Sequence, residues 1–483
     1  MLTRIEVALR PDVVDVQGNN VAAKIKKELH LHVDRVRLIK VYTVAGLSEA
    51  QIQTTLDRGA LHDPVLHQAG TGPAAADFDW LIEVGFRPGV TDNEGKTARE
   101  TLRTVLDHDG EPAVYTSTQY LLSGDLSREG VEHIARDLLA NELIQRYEIV
   151  DKASWIAGPG FEPRTAKVTG QASDRVDTIK LRAMNEEQLM ALSRDRVMAL
   201  SLTEMQALQA YYASPDVSAA RQAAGLPADP LDAELECLAQ TWSEHCKHKI
   251  FSSRIEYTNT DTGRSETVDS LYKTCIQGST KALRERMGED DFCLSVFKDN
   301  AGVIRFDEDH NVCIKVETHN SPSALDPYGG ALTGIVGVNR DPMGTGLGAN
   351  LVCNTDVFCF ASPYHEEELP PRLLHPRRIF EGVREGVEHG GNKSGIPTVN
   401  GALVFDERYL GKPLVFCGTI GTMPTTVAGR PSHEKQALPG DRIIMAGGRI
   451  GADGIHGATF SSEELHEGSP ATAVQIGDPI TQR

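Results

Sequence analysis

Residues 6–18 read EVALRPDVVDVQG, and residues 83–95 read EVGFRPGVTDNEG. At an offset of 77 positions the two stretches are identical at Glu6/Glu83, Val7/Val84, Arg10/Arg87, Pro11/Pro88, Val13/Val90, Asp15/Asp92 and Gly18/Gly95. Each copy begins with an alternating strand pattern, turns at Arg-Pro and enters a helical pattern. We therefore predict two small α+β units in tandem. They would pair as a pseudo-dimer, because each unit covers a sheet edge or face that its duplicate leaves exposed.

The sequence beyond each copy extends the α+β pattern. Strand-like runs, VRLIKVYTV (36–44) and AVYTSTQYLL (113–122), are each followed by a helix that begins near Ser48 or Ser127. A linker rich in Gly, Pro and Thr (156–171) then leads to a helical module, in which Asn185 and Thr203 each precede a Gln by three residues and predict helix caps. Neither copy carries evident chemistry, so we predict a structural or docking role for both.

The composition argues against several classes of protein. The 49 Lys and Arg against 68 Asp and Glu give a net charge of −19, and an acidic surface repels nucleic acids and anionic membranes. No apolar run approaches the ~20 residues that span a bilayer, and the first residues lack the apolar core of a signal peptide. The eight cysteines form no C-x-x-C pair, which predicts reduced thiols in a cytoplasmic protein.

The stretch richest in candidate chemistry is residues 315–348, KVETHNSPSALDPYGGALTGIVGVNRDPMGTGLG. Its first residues alternate like the end of a strand, so Lys315, Glu317 and His319 would share one face. Thr318 and Asn320 would then share the other face. A cation, a carboxylate and an imidazole suit phosphoryl transfer, since they can neutralise phosphate, hold Mg²⁺ and move a proton.

The alternative for this run is a solvent-facing strand with salt-bridged side chains. The glycines through Gly348 favour the functional interpretation, because they bring bare backbone N–H groups close to the strand end, as an anion site requires. Arg340-Asp341 adds a second cation and a second carboxylate. Glycine density alone remains weak support, since no P-loop pattern is present.

A second candidate stretch is residues 231–251, LDAELECLAQTWSEHCKHKIF. Asp232 is a plausible N-cap, and His245 lies at the edge of an apolar helical face that includes Trp242. By pattern alone, a histidine beside a Trp on such a face is more often a satisfied core residue than a catalyst. His248, between two lysines, could meet phosphate or belong to a solvated helix end.

Residues 241–251, TWSEHCKHKIF, closely resemble the S-E-H-C-[RK]-H-K-I-F signature of phosphoribosylformylglycinamidine synthase, a family of purine biosynthesis. Later motifs of that family have similar counterparts in the same order: KVETHN (315–320), PYGG (327–330) with Arg340-Asp341, GIPTV (395–399), GIHG (454–457) and SEEL (462–465). Together these motifs are highly specific, and the resemblance covers essentially the whole chain.

The resemblance implies an ATP-dependent ligase. In this family ATP phosphorylates the formamide oxygen of formylglycinamide ribonucleotide, and ammonia then displaces phosphate to give the amidine. Carried over residue by residue, the resemblance implies that His245 and His319 are catalytic, that Lys315 and His248 bind ATP, that Glu317 and Asp341 bind Mg²⁺, and that Thr318, His319, Asn320, Arg340 and Gln475 contact the substrate.

The resemblance also implies the organisation of the chain. Residues 1–154 would be two accessory-subunit-like units, about 1–76 and 77–154, and residues 155–230 a linker with a helical module. Residues 231–432 would form the first ATP-site domain, and residues 433–483 an incomplete second domain. The predicted fold class is α+β, with ferredoxin-like repeats in a pseudo-dimer and an aminoimidazole-ribonucleotide-synthetase-like domain.

Three departures from the family pattern affect these expectations. Ser321 stands where the family usually has His, which puts one substrate contact in doubt. The small-subunit forms of the family often have Tyr at the position of His248. The chain ends inside the first of the family's two synthetase halves, so a homodimer or a C-terminal half would complete the site.

No glutaminase signature is present, so ammonia would come from a separate glutaminase subunit or domain. One alternative is a non-catalytic half that binds nucleotide or acts as a scaffold and needs a partner for turnover. Another is a related aminoimidazole ribonucleotide or selenophosphate synthetase, against which the His245 signature and the N-terminal repeats argue.

Overall fold

The protein has a mixed α+β architecture with two compact units, residues 1–170 and residues 171–483. The computed structural model describes residues 2–88, 90, 92–106, 112–142, 144–167, 175–370, 373–444, 446, 455–462 and 477–482. No helix within these ranges is long and apolar enough to cross a bilayer.

The first unit is a six-stranded sheet in the order β3-β1-β2-β5-β4-β6. Its elements are β1 (Leu2–Leu9), α1 (Val16–Glu28), β2 (Arg35–Ala45), α2 (Glu49–Asp57), β3 (His67–Gly70), β4 (Trp80–Phe86), α3 (Asn93–Leu106), β5 (Ala113–Ser123), α4 (Arg128–Ile134), β6 (Gln145–Asp151) and α5 (Lys152–Ala157). The two predicted strands are β2 and β5, which pair antiparallel at the centre of the sheet. Ser48 and Ser127 are the N-caps of α2 and α4, as predicted.

Two of the residues that the repeats share occupy equivalent places in this unit. The Asp15 carboxylate accepts hydrogen bonds from the N–H groups of Gly18 and Leu38, at 2.7 and 2.8 Å. Asp92 accepts in the same way from Gly95 and Thr116, at 2.7 and 2.6 Å. Each aspartate therefore joins the first turn of its helix to the following strand.

A buried polar cluster joins the other shared acidic residues. Glu6 and Glu83 are both almost fully buried, and Arg4 forms an ion pair with each of them. The side-chain amide of Gln119 donates to both carboxylates, at 3.2 and 3.1 Å. Burial by itself would raise the pKa of Glu83, but hydrogen bonds and charge from Arg4, with help from Ser117 and Gln119, lower it below its usual value.

The second unit begins with helices and continues into a second six-stranded sheet. Its elements are α6 (Glu186–Asp195), α7 (Leu202–Ala213), α8 (Pro215–Ala223), α9 (Asp232–Thr241), α10 (Glu244–Lys247), α11 (Lys249–Ser252), β7 (Arg254–Thr258), β8 (Ser265–Asp269), α12 (Gly278–Met287), β9 (Cys293–Ser295), β10 (Gly302–Arg305), β11 (His310–Thr318), α13 (Asn320–Leu325), α14 (Pro327–Met343), β12 (Asn350–Phe360), α15 (Pro376–Ser394), β13 (Thr398–Phe405), β14 (Leu414–Pro424), β15 (Thr426–Val427), β16 (Arg430–Pro431), α16 (Gly457–Phe460) and α17 (Pro479–Gln482). The sheet order is β13-β12-β14-β11-β10-β9.

Helices α14 and α15 pack together and cover one face of this sheet. Their buried side chains form one core with those of β12 and β14, and this core includes Leu332, Ile335, Phe360, Val383 and Val415. β11, β14 and β12 are neighbours in antiparallel pairing, whereas β12 and β13 are parallel. The face turned away from the helices, which we call the outer face, exposes apolar side chains such as Ile314, Val316 and Val404.

Candidate active site

The candidate site is built at the end of β11, where its helix-facing side chains meet the C-terminal end of α14. Lys315 and Glu317 are both partly buried on that side of the strand, as the alternation predicted. The Nζ atom of Lys315 lies 2.5 Å from Oδ2 of Asp341. Asp341 is in the last turn of α14, two residues before the helix ends at Met343. The structure therefore brings together the lysine and one of the carboxylates that the sequence separates by 26 positions.

Glu317 is the second carboxylate of this group. Burial raises the pKa of Glu317, and the charge of Asp341 raises it further, while Lys315 and Arg340 act in the opposite direction. Glu317 therefore lies within electrostatic reach of Asp341, Lys315 and Arg340. A cation that binds between the two carboxylates would relieve their repulsion.

His319 lies just beyond the strand. β11 ends at Thr318, and the backbone of His319 turns out of the extended region, with φ −120° and ψ 62°, so that α13 begins at Asn320. The Nδ1 atom lies 2.5 Å from the carbonyl oxygen of Gly330. Because a carbonyl oxygen can only accept, Nδ1 carries the proton and Nε2 is left as the basic atom. Gly334 lies beneath the ring, where a Cβ would come within 2.9 Å of His319 Cβ.

The imidazole of His319 favours its neutral form. Burial lowers its pKa, the Gly330 carbonyl opposes that shift, and the charge of His245 lowers the pKa further. A neutral ring with a free Nε2 is suited to accept a proton. The influence of His245 on the pKa of His319 places the two predicted catalytic histidines within electrostatic reach of each other.

His245 sits on a separate short helix, so the prediction of one continuous helix is wrong. α9 ends at Thr241, and Ser243 caps α10 by accepting a hydrogen bond from the Cys246 N–H at 3.1 Å. His245 therefore does not extend the apolar face of α9. Partial desolvation lowers the pKa of His245, and the nearby His248 lowers it further. The His245 N–H donates to Ser462 Oγ at 3.1 Å.

His248 separates α10 from α11 with a left-handed backbone, φ 54° and ψ 54°. This conformation is uncommon for a residue with a side chain and is found at helix ends and at functional sites. The side chain is exposed. The turn redirects the chain after His245, so the side chains on either side of it do not share one helical face.

The predicted substrate contacts are distributed unevenly. Thr318 is exposed and points away from the helices, as its place in the strand predicted. Asn320 does not share that face, because it starts α13, and its Oδ1 accepts from the Val415 N–H at 2.8 Å. Arg340 donates to the Gln482 side chain at 3.1 Å. Gln475 lies outside the described residues. Ser321, where the family usually has His, is buried.

Sequence reasoning missed a row of buried polar side chains under α14. Asp356 of β12 pairs across the sheet with Cys417 of β14, which in turn pairs with Glu317. Asp356 is 5% exposed and accepts a hydrogen bond from Thr398 Oγ1 at 3.0 Å. Burial raises the pKa of Asp356. The signal in the sequence was a carboxylate inside the apolar run NLVCNTDVFCF, residues 350–360.

Glu317 and Asp341 have the chemistry of Mg²⁺ ligands. Magnesium is held by one or two carboxylates and completes its shell with water and substrate phosphates. Within the described ranges no cluster of three or more His, Cys, Asp or Glu side chains is arranged to hold a metal by itself. A pair of carboxylates beside a lysine therefore fits a metal that arrives with a phosphate.

Comparison with known proteins finds sequence matches over the same part of the chain. Residues 298–423 match the AIR synthase related protein, N-terminal domain, and residues 189–249 match the formylglycinamide ribonucleotide amidotransferase linker domain. The PurL subunit of phosphoribosylformylglycinamidine synthase from Thermoplasma volcanium is 34% identical over 308 residues, which are 63% of this chain and 34% of that protein. The same subunit from Thermoplasma acidophilum is 35% identical over 308 residues, 63% of this chain and 35% of that protein.

Among solved structures, Thermotoga maritima PurL complexed with FGAR is 28% identical, with a TM-score of 0.38, over 55% of this chain and 35% of that chain. The chain spans about a third of the length of the curated relatives that it matches. Most of the second sheet and its two packed helices lie within the segment that matches the AIR synthase related N-terminal domain. The resemblance to phosphoribosylformylglycinamidine synthase that the motifs predicted is confirmed by these matches, which lie in the linker and in the second sheet.

Proposed function

We propose that this chain is the N-terminal part of a phosphoribosylformylglycinamidine synthase. The reaction is the ATP-dependent conversion of formylglycinamide ribonucleotide to formylglycinamidine ribonucleotide in purine biosynthesis, in the cytoplasm. The relatives that support this activity carry the same name, and one solved relative was obtained in complex with FGAR and another in complex with ATP.

The observation that carries the proposal is the group formed by Lys315, Glu317, Asp341 and His319. The lysine would neutralise the phosphates of ATP, and the two carboxylates would hold Mg²⁺, whose charge would stabilise the transferred phosphoryl group. His319, with its proton on Nδ1, accepts a proton at Nε2. His245 acts beside it, and His248 contacts ATP.

Bond changes follow from these roles. The amide carbonyl oxygen at the carbon that becomes the amidine attacks the γ-phosphorus of ATP, so that an O–P bond forms and ADP leaves. The adjacent amide nitrogen gives its proton to the base, and an iminophosphate results. Ammonia then attacks the former carbonyl carbon, and the C–O bond breaks to release phosphate. The ammonia nitrogen loses a proton to the base, and the amidine results. Thr318, Asn320, Arg340 and Gln475 are proposed to bind the ribonucleotide.

The remaining parts of the chain have supporting roles in this proposal. Residues 1–154 are two ferredoxin-like accessory units, about 1–76 and 77–154, joined as a pseudo-dimer through β2 and β5. Residues 155–230 are the linker with its helical module, residues 231–432 the ATP-site domain, and residues 433–483 the start of a second domain. Ammonia comes from a separate glutaminase subunit or domain, and a second copy or a C-terminal synthetase half completes the site.

The test is Mg·ATP binding and turnover by the purified chain. Calorimetric titration should show Mg·ATP binding that Glu317→Gln weakens at least tenfold, because one metal ligand loses its charge. Glu266→Gln, on the exposed strand β8, is the matched control and should bind like the unaltered chain. Equal affinity of both variants would remove Glu317 from the metal site.

Turnover is measured as ADP release with ATP, Mg²⁺, formylglycinamide ribonucleotide and ammonium chloride. Release that depends on the ribonucleotide is the expected result where the chain builds a complete site by self-association. Binding of Mg·ATP without release would show that the chain supplies only half of the site. Release that is independent of the ribonucleotide would contradict the proposed substrate.

A further inference from the structure

We propose that Asn354 and Asn339 are a positioning pair for the nucleotide site. They would hold the turn of α14 that carries Arg340 and Asp341 in place while Mg·ATP binds. This inference rests on the proposed function, in which Asp341 binds Mg²⁺ and Lys315 binds the phosphates of ATP.

The contact between the two asparagines is direct and fully buried. The Asn354 side-chain Nδ2 donates to Asn339 Oδ1 at 2.7 Å and to the Gly418 carbonyl oxygen at 3.1 Å. Asn354 is 0% exposed and Asn339 is 2% exposed. A hydrogen bond of this kind is costly to lose inside a protein, because each amide would then be left without its partner. It ties the helix α14 to the strand β12.

The last turn of α14, which carries Arg340 and Asp341, lacks one of the backbone hydrogen bonds of a regular helix. Pro342 lies inside α14 and has no N–H, so it cannot donate to the Val338 carbonyl oxygen in the ordinary helical pattern. Asn339 directly precedes Arg340 and Asp341. A side-chain bond from Asn339 to the sheet therefore acts on the segment of the helix that the proline weakens.

The sheet holds this turn from two sides. Lys315, Thr419 and Asn354 are cross-strand neighbours on β11, β14 and β12. Lys315 at one end of the row forms the ion pair with Asp341, and Asn354 at the other end bonds to Asn339. The two contacts differ in charge, since one is an ion pair and the other joins neutral amides.

Ligand binding changes only one of these two contacts. If Lys315 binds a phosphate and Asp341 binds Mg²⁺, each side chain gains a second charged partner. The ion pair between Lys315 and Asp341 is then weakened. The asparagine pair has no net charge, and both side chains are fully buried. It therefore remains as the contact that keeps the Asp341 carboxylate aimed at the metal.

Calorimetry on the full chain tests this role with three variants: Asn339→Ala, Asn354→Ala and the double variant. We expect each single variant to weaken Mg·ATP binding about tenfold, with little change for ATP without metal, because the defect lies in placing the metal ligand. The double variant should bind Mg·ATP with about the affinity of the more impaired single variant, because the two substitutions remove the same hydrogen bond. Asn339→Ala is the milder change, because Asn354 keeps its bond to Gly418.

Asn311→Ala is the matched control. Asn311 is 1% exposed on β11, and its Nδ2 donates to Ser432 Oγ at 3.3 Å, away from the candidate site. This variant should lose thermal stability like the others but keep its affinity for Mg·ATP.

Two results would overturn the positioning pair: lower melting temperature with unchanged Mg·ATP affinity in both single variants, or additive losses in the double variant. An unaltered chain that does not bind Mg·ATP would instead overturn the nucleotide site itself, and the pair with it. If Asn354→Ala does not fold, Asn339→Ala alone decides between these results.

Discussion

At the scale of single residues, we expect Asp326 to make the free energy of unfolding of the second unit depend on pH. It is 5% exposed and caps α14, where its Oδ1 accepts from the Gly329 N–H at 3.2 Å. Burial raises the pKa of Asp326 to about 6, although the Gly329 bond and the charge of Arg378 oppose the shift. The folded chain thus holds this proton at pH values where the unfolded chain has already lost it. The contribution of the Asp326 carboxyl group to the free energy of unfolding therefore falls as the pH rises from about 4 to about 6.

The variant Asp326→Asn should remove this pH dependence. Asparagine has the same shape, caps a helix equally well and cannot ionise. We expect the variant to be more stable than the unaltered chain at pH 7.5 by about 1–3 kcal/mol, with a difference near zero at pH 4. Urea denaturation across this pH range, followed through the second unit, measures the difference. A difference that does not change with pH would contradict the buried, raised pKa.

The sequence predicted some single-residue features and missed others for physical reasons. Strand alternation was enough to place Lys315 and Glu317 on one face, because it depends only on neighbours in sequence. It could not predict that His319 leaves the strand, since that turn depends on the helix that follows. It also missed the Asn339–Asn354 contact, which joins two buried polar side chains within apolar runs. The roles of these residues in catalysis remain predictions.

At the scale of secondary-structure elements, three glycines of α15 allow it to lie against α14. Gly382, Gly386 and Gly390 are spaced four residues apart and therefore line one side of the helix. A Cβ at Gly386 would collide with the Tyr328 carbonyl oxygen and press on the Leu332 N–H, both of which are backbone atoms of α14. These atoms cannot move without shifting the helix that carries Asp341.

Gly386→Ala should therefore destabilise the second unit by about 1–3 kcal/mol through forced separation of the helices. Gly391→Ala is the matched control, because a Cβ there would come only within 3.4 Å of the Ile396 carbonyl oxygen. Alanine at that position should be neutral or stabilise α15 by up to about 1 kcal/mol through its higher helix propensity. Thermal unfolding of the two variants separates these expectations, and equal loss of stability in both would contradict the packing argument.

Helix starts show how far local sequence predicts elements. The Asn185–Gln188 capping box and the caps at Ser48 and Ser127 are confirmed. The predicted caps at Thr203 and Asp232 are wrong by one or two residues. Ser201 and Glu204 form the capping box of α7, and α9 begins after Leu231, where Glu234 reaches back to the Leu231 N–H at 2.7 Å. Several residues in each stretch could cap, and the packing of the helix decides which one does.

At the scale of the whole molecule, the outer face of the second sheet exposes a row of apolar side chains. Ile314 and Val316 of β11 are 50% and 47% exposed, and Val404 of β13 is 45% exposed. They lie on the side of the sheet opposite to α14 and α15, and Phe416 and Ile420 of β14 share that side. A contiguous apolar sheet face is uncommon on a monomer. A second copy of the chain, whose outer face carries the same apolar side chains, is the simplest partner for this surface.

We expect the chain to form a homodimer through the outer face. We expect sedimentation at micromolar concentration to give twice the chain mass. Val316→Lys should give a monomer with an unchanged melting temperature, because a charge at the centre of an apolar interface opposes association without disturbing the helix-facing core. Val65→Lys, at a side chain of the first unit that is 77% exposed, is the control and should remain a dimer. A monomeric unaltered chain would contradict self-association and leave the separate synthetase half as the expected partner.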